Sequence, residues 1–154
     1  MLNKEFSKVL TEVAEKLDES KIKWTLIGST NLALQGMEFT PQDIDILASY
    51  NDIEIIKKLF SKFVIKESGE TSNGECYEIK YLINSVEVQF CFEYSHGFYI
   101  KKIDQNGIIY KKFDLLNIPC FLLGDEAAAY RYLGRDGKAK MIEDFIKNAN
   151  KYGK

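Results

Sequence analysis

The sequence is poor in the residues that make metal cages and cross-links. A single histidine, His96, and three widely spaced cysteines, Cys76, Cys91 and Cys120, are spread over 154 residues. An odd number of cysteines without a CxxC pair fits reduced thiols, and excludes a disulfide framework and a zinc ribbon. No run of about 18 apolar residues is present, so a membrane-spanning helix is excluded. The first twenty residues alternate charged and apolar side chains and lack the apolar core of a signal peptide, which points to a cytoplasmic protein. Excess charge is also missing. Twenty-one basic against 23 acidic residues leave a net charge of -2, which disfavours a nucleic-acid-coating role unless a local basic patch exists.

What is there is an ordinary globular composition, 45% hydrophobic and 29% charged, in a chain long enough to bury one core. One domain over residues 1–154 is expected, with a core at about 20–123 and a C-terminal helix pair at about 124–150. Leu2, Phe6, Val9, Leu10, Val13 and Leu17 recur at helical spacing, and Asn3 stands where a cap belongs. "WTLIGS" reads as a buried strand, and Ser29 or Thr30 is placed to cap a short helix closed by Gly36. Thr40 before Pro41 is biased to extended backbone and leads into the strand "DIDILAS". Asn51 and Glu54 have capping-box spacing ahead of a helix carrying Ile53, Ile56, Leu59 and Phe60. Period-two strands follow in "FVIKE", "CYEIKYLI" and "VEVQFCFE", with a tight turn at Asn84-Ser85. "FYIKKI" and "IIYKK" around "DQNG" carry a hairpin signal. The chain ends in two helices, the second with Met141, Ile142, Phe145, Ile146 and Ala149 on one face.

Two features carry chemistry. Asp43 and Asp45 lie two apart in a strand, so their side chains leave the same face with Cα atoms about 6.6 Å apart at a rise of about 3.3 Å per residue. Two carboxylates so placed repel one another and lose hydration unless a cation lies between them, and oxygen donors of this hardness suit Mg²⁺ or Mn²⁺. A D-x-D pair alone also suits an edge strand with one wet face. The second feature is Gly28-Ser29, a strand end opening a helix, which offers backbone N–H groups, a hydroxyl and the positive end of a dipole to a phosphate. No lysine follows in P-loop spacing, so the positive charge must come from elsewhere. Taken alone, Gly28 and Ser29 also suit a tight turn and a helix cap.

Together, "LIGS" and "DIDI" resemble the signature of the nucleotidyltransferase-fold superfamily over roughly Trp24 to Phe92, with a weaker likeness in "IPCFLLGDEAAAYRYLGRDGKAK". The chain is similar to small stand-alone members of the antibiotic-modifying and toxin–antitoxin-associated types. The resemblance implies an α/β (α+β) fold with a mixed, mostly antiparallel sheet and helices packed on one face. It implies transfer of a nucleoside monophosphate from a nucleoside triphosphate, ATP most simply, to a hydroxyl acceptor, with pyrophosphate leaving. Asp43, Asp45 and Glu87, the last from "SVEVQF", would be the catalytic and metal-holding carboxylates, with Mg²⁺ or Mn²⁺ as cofactor. Gly28 and Ser29 would grip phosphates, and Arg131, Arg135, Lys138 and Lys140 stand near enough in sequence to neutralise a triphosphate. Glu87 and the basic residues equally suit a solvated strand or helix face. Two alternatives stay open: a degenerate nucleotide-binding protein, and an antitoxin-like interaction module with a protein partner or a second copy.

Overall fold

The computed structural model describes residues 2–151. Helix α1 (Lys4–Ser20) starts where Asn3 Oδ1 accepts the Phe6 N–H at 2.8 Å and stops at Lys21, which takes a left-handed φ of 62°. Its stripe Phe6, Val9, Leu10, Val13, Ala14 and Leu17 is buried. The Trp24 indole N–H donates to Asp18 at 2.9 Å and ties the end of α1 to the next strand.

Strand β1 (Trp24–Ile27) leads into α2 (Gly28–Leu34), then β2 (Asp43–Ser49), a 3-10 turn at Tyr50–Asp52, α3 (Ile53–Leu59), β3 (Val64–Glu70), β4 (Cys76–Ile83) and β5 (Val86–Glu93). Helix α4 (Phe98–Asn106), strands β6 (Ile108–Phe113) and β7 (Leu116–Phe121), and helices α5 (Leu123–Tyr132) and α6 (Asp136–Lys151) complete the described chain. The seven strands form one sheet in the order β3-β4-β5-β2-β1-β7-β6. β2 runs parallel to β5 and β7 parallel to β1; the other neighbours are antiparallel, as expected of a mixed, mostly antiparallel sheet. The turn between β4 and β5 uses left-handed backbone at Asn84 (φ 47°) and Ser85 (φ 70°), the conformation that suits a two-residue hairpin.

The helices divide between the two faces of the sheet rather than packing on one, because both faces carry apolar side chains. α1 and α3 cover the face bearing Ile44, Ile46, Val88, Phe90 and Phe92. On the opposite face Leu47, Cys91 and Phe121 also need an apolar cover, which Phe98, Tyr99, Ile100 and Ile103 of α4 supply. A third cluster joins Leu32 and Met37 to Ala127, Tyr130, Ala139 and Ile142, and so holds the C-terminal helices against α2.

Four local expectations are corrected. "FYIKKI" is a helix, not a strand of a hairpin, because carboxylates outside it satisfy its first amides: Glu75, 23 residues back, accepts the Phe98 N–H at 2.8 Å, and Glu93 at the end of β5 accepts those of Tyr99 and Ile100 at 3.1 and 2.8 Å. "IIYKK" pairs with β7 instead. α2 begins at Gly28 without a side-chain cap, and the Thr30 hydroxyl donates to the Asp43 carbonyl at 2.7 Å. The capping box expected at Asn51 does not form, since α3 follows Asp52 without a side-chain cap; in the 3-10 turn before it the Ser49 hydroxyl accepts the Asn51 N–H. Met141 stands outside the buried face of α6, exposed at 51%, while Ala139 and Ile142 are buried.

Because Asn3 holds one otherwise unpaired amide of α1, Asn3→Ala is expected to cost about 1 kcal/mol of stability. Urea unfolding with an unchanged m-value checks this; an unchanged midpoint would remove the cap from the account.

Candidate active site

Gly28 ends β1 with a φ of 76°, a conformation that L side chains rarely adopt. The β1–β2 register sets Ile27 opposite Asp45, so the turn folds directly over the Asp45 carboxylate. A Cβ built on Gly28 would stand 2.5 Å from Asp45 Oδ2. The glycine therefore makes room for the aspartate, and the two motifs recognised separately in the sequence are one packed unit.

Alternation along β2 points Asp43, Asp45, Leu47 and Ser49 to one face. β5 runs parallel with Asp43 beside Glu87 and Asp45 beside Gln89. On β4, Glu78 lies opposite Cys91 and Lys80 opposite Gln89, so both join this face. Burial pushes the Asp45 carboxyl up to about 7; Asp43, Glu78 and Glu87 repel its charge further, while Lys80 opposes them. Glu78 is raised by burial and accepts the Gln89 amide N–H at 2.6 Å. Glu93 is also raised by burial to about 7, although the Ile100 and Tyr99 amides work against the shift.

Asp43, Asp45 and Gly28 line a cavity of about 330 Å³, with Glu75, Glu78, Gln89 and Glu93 on the strand side and Tyr130 and Tyr132 of α5 with Arg135 of the α5–α6 link on the other. Tyr132 stacks on Phe98, with ring centroids 4.4 Å apart, and its hydroxyl donates to Glu75. Arg135 is the only basic residue of this wall among the described residues, and its guanidinium lies 5.0 Å from the Tyr130 ring centre.

The structure thus gathers Gly28, Asp43, Asp45 and Arg135. Ser29, Glu87, Arg131 and Lys138 do not line the cavity. Glu87 shares the face of the aspartates, but its Oε1 is 2.6 Å from Lys66 Nζ, and this bond holds its carboxyl below the usual range. Arg131 is engaged by Glu143, donating from Nε at 2.9 Å and from Nη2 at 2.6 Å. The Lys138 ammonium lies over the Phe39 ring at 4.5 Å. Lys140 lies 3.4 Å from Asp144 on the exposed side of α6. Among the described residues, no three His, Cys, Asp or Glu side chains are placed to hold a metal ion by themselves.

The sequence reading missed Glu126. This carboxylate of α5 is 1% exposed and its Oε2 accepts both the Gly28 N–H and the Asn31 side-chain amide at 2.7 Å. Burial pushes it up to about 8, with Asn31 and Gly28 opposing. In the sequence it looks like any acidic residue of a first helical turn, so no local signal marks it. Glu78 and Gln89 were more legible, since period two places both on the face of the aspartates.

The sequence profile of the aminoglycoside-2''-adenylyltransferase family matches residues 9–147. The chain belongs to that family. A comparison with curated proteins finds no significant match. Among solved structures, a Thermotoga maritima protein provisionally assigned as a nucleotidyltransferase is similar at a TM-score of 0.73 and 21% identity, covering 96% of each chain. The lincomycin-bound lincosamide adenylyltransferase LnuA is similar at 0.61 and 12%, covering 88% of this chain and 96% of its own. ANT(2'')-Ia in complex with adenylyl-2''-tobramycin is similar at 0.60 and 9%, covering 94% and 98%. At these identities the neighbours show a shared nucleotidyltransferase fold, while the profile shows the enzyme family. No helix among the described residues is long and apolar enough to cross a membrane.

The raised Asp45 carboxyl sets a pH dependence. In the unfolded chain an aspartate titrates near about 3.9, so the folded state takes up the proton first. The stability this contributes is present below that value and lost as pH rises through about 7. Asp45→Asn is therefore expected to melt above the parent at pH 8 in the absence of divalent ions, and the gap should close towards pH 5. A gap that does not change with pH would contradict the environment assigned to Asp45.

Proposed function

We propose that the protein transfers the adenylyl group of ATP to a hydroxyl of a small cationic acceptor of the aminoglycoside class, releasing pyrophosphate. The observation that carries this is the packing of Asp45 against Gly28, with Asp43 beside it on the cavity wall. Five carboxylates and one guanidinium face the cavity among the described residues, Asp43, Asp45, Glu75, Glu78 and Glu93 against Arg135. That excess of negative charge favours an amine-bearing acceptor over an anionic one. The antibiotics in the two neighbouring adenylyltransferase structures, tobramycin and lincomycin, supply the probes.

The donor set suits a hard divalent cation. Two carboxylates on one face, one of them destabilised as an anion, are donors of the kind that would suit Mg²⁺ or Mn²⁺. Asp43 and Asp45 would hold the ion, which when bound supplies charge neutralisation at the reacting phosphate and the departing pyrophosphate. The acceptor oxygen attacks the α-phosphorus, the bond from that phosphorus to the bridging oxygen of pyrophosphate breaks, and the hydroxyl proton passes to a base. Glu87, across from Asp43 on the same face, takes that part once its carboxylate leaves Lys66. Glu126 already occupies the Gly28 N–H and Ser29 does not line the cavity, so the part left to this turn is to hold Asp45 in place beside the phosphates. Arg135 meets the triphosphate at the cavity rim.

The pairing of Glu87 with Lys66 also favours a second reading, a protein that binds nucleotide without turnover. Incubation with α-labelled ATP, Mg²⁺ and either tobramycin or lincomycin separates the two. Labelled tobramycin is the expected product, and Asp45→Asn should abolish it. No labelled product and no pyrophosphate with any of the four common triphosphates would sink the transferase reading. A melting-temperature rise with Mg²⁺ and nucleotide alone would then leave the binding reading standing.

For Glu87 the expectation is narrower. Glu87→Gln should keep the nucleotide-dependent rise in melting temperature and slow transfer by about 100-fold or more, the scale for a positioned base. Full activity in this variant would take Glu87 out of the chemistry.

A further inference from the structure

The catalytic turn is held from the far end of the chain. α2, seven residues long, has no side-chain cap, and it opens with a glycine, the residue that loses most freedom on folding. Within the turn, the Thr30 hydroxyl is bonded to the Asp43 carbonyl at 2.7 Å, and the first amide is held by Glu126. Its Oε2 takes the Gly28 N–H at 2.7 Å from one side while the Asp45 carboxylate fills the space over the Gly28 Cα from the other.

Glu126 is itself steered. The Asn31 amide donates to the same Oε2 at 2.7 Å and to the Phe121 carbonyl at 2.9 Å; Gln35 donates to Asn31 Oδ1 and to Phe121, each at 2.8 Å. The acceptor oxygen is fixed by donors from α2 and, through them, by the end of β7. Ala127 and Tyr130, on the same helix as Glu126, pack in the cluster that docks the C-terminal helices on α2. A carboxylate buried to 1% exposure is costly unless its hydrogen bonds require it, and an apolar residue would fill this space at less cost but leave the Gly28 and Asn31 donors unpaired.

We infer that Glu126 is a positioning residue for nucleotidyl transfer: it clamps the Gly28 amide, so that the turn and the Asp45 carboxylate keep one geometry through the reaction. This rests on the transferase reading given above. What matters is the reach of the acceptor oxygen, not the charge of the group that carries it. Two variants separate these properties. Glu126→Gln keeps an acceptor oxygen at the same distance from the backbone and removes the ionisable carboxyl; Glu126→Asp keeps an ionisable carboxyl and withdraws the oxygen by one methylene.

Both variants and the parent are assayed with ATP, Mg²⁺ and tobramycin well below their melting temperatures, with kcat and KM determined separately. Glu126→Gln is expected to stay within about threefold of the parent, and Glu126→Asp to lose at least about tenfold in kcat, since displacing reacting groups by a fraction of an ångström to 1 Å costs up to about 100-fold. A purely structural role would lower the melting temperature of Glu126→Asp and leave kcat of the folded protein unchanged, which would overturn the proposal. Equal losses in both variants would overturn it as well. Amide exchange in the parent gives an answer independent of activity: the Gly28 N–H should be protected, and exchange at the rate of an open turn would refute the clamp even if Glu126→Asp failed to fold. A parent that transfers nothing yet protects Gly28 would instead count against the transferase reading alone.

Discussion

The site depends on the contact between the Asp45 carboxylate and the bare Cα of Gly28. A side chain of any kind at position 28 would occupy the place of Asp45 Oδ2, and the backbone there already takes a conformation that only glycine adopts cheaply. The sheet supports this contact from several directions. Antiparallel pairing brings Ile27 opposite Asp45, parallel pairing lays β5 along the other side of β2, and α5 reaches back to hold the Gly28 amide.

Such an arrangement is electrostatically expensive in the ligand-free protein. Asp45, Glu93 and Glu126 all have their carboxyls pushed well up by burial, and the Asp45 charge is opposed by three further acids with only Lys80 against them. Glu93 and Glu126 recover part of this through backbone amides of α4 and of the Gly28 turn. Asp45 has no comparable compensation in its shift, which is why it is the residue most in need of an external cation. Stability withheld at the site in this way is common where chemistry is carried out.

The relation to other proteins follows the same division between frame and site. Neighbours with 9–21% identity keep the fold over nearly the whole chain. A shared fold does not fix the acceptor. In this protein Glu75 and Glu78 on the strand side and Tyr130 and Tyr132 of α5 line the cavity with the aspartates, and those side chains set the chemistry of its wall.

The sequence by itself determined much of the frame. Local periodicity placed α1, β1, β2 and the β3–β5 meander, and the spacing of Asp43 and Asp45 put both carboxylates on one face, because strand alternation is a property of neighbouring residues alone. It could not reveal that "FYIKKI" is helical, since the amides that start α4 are satisfied by Glu75 and Glu93 from other segments. Nor could it show that Glu87 meets Lys66, that Arg131 meets Glu143, or that Glu126, 98 residues from Gly28, completes the turn. Those were decided only in the tertiary structure, because the fate of a charged side chain is set by whichever partner folding brings within hydrogen-bond reach.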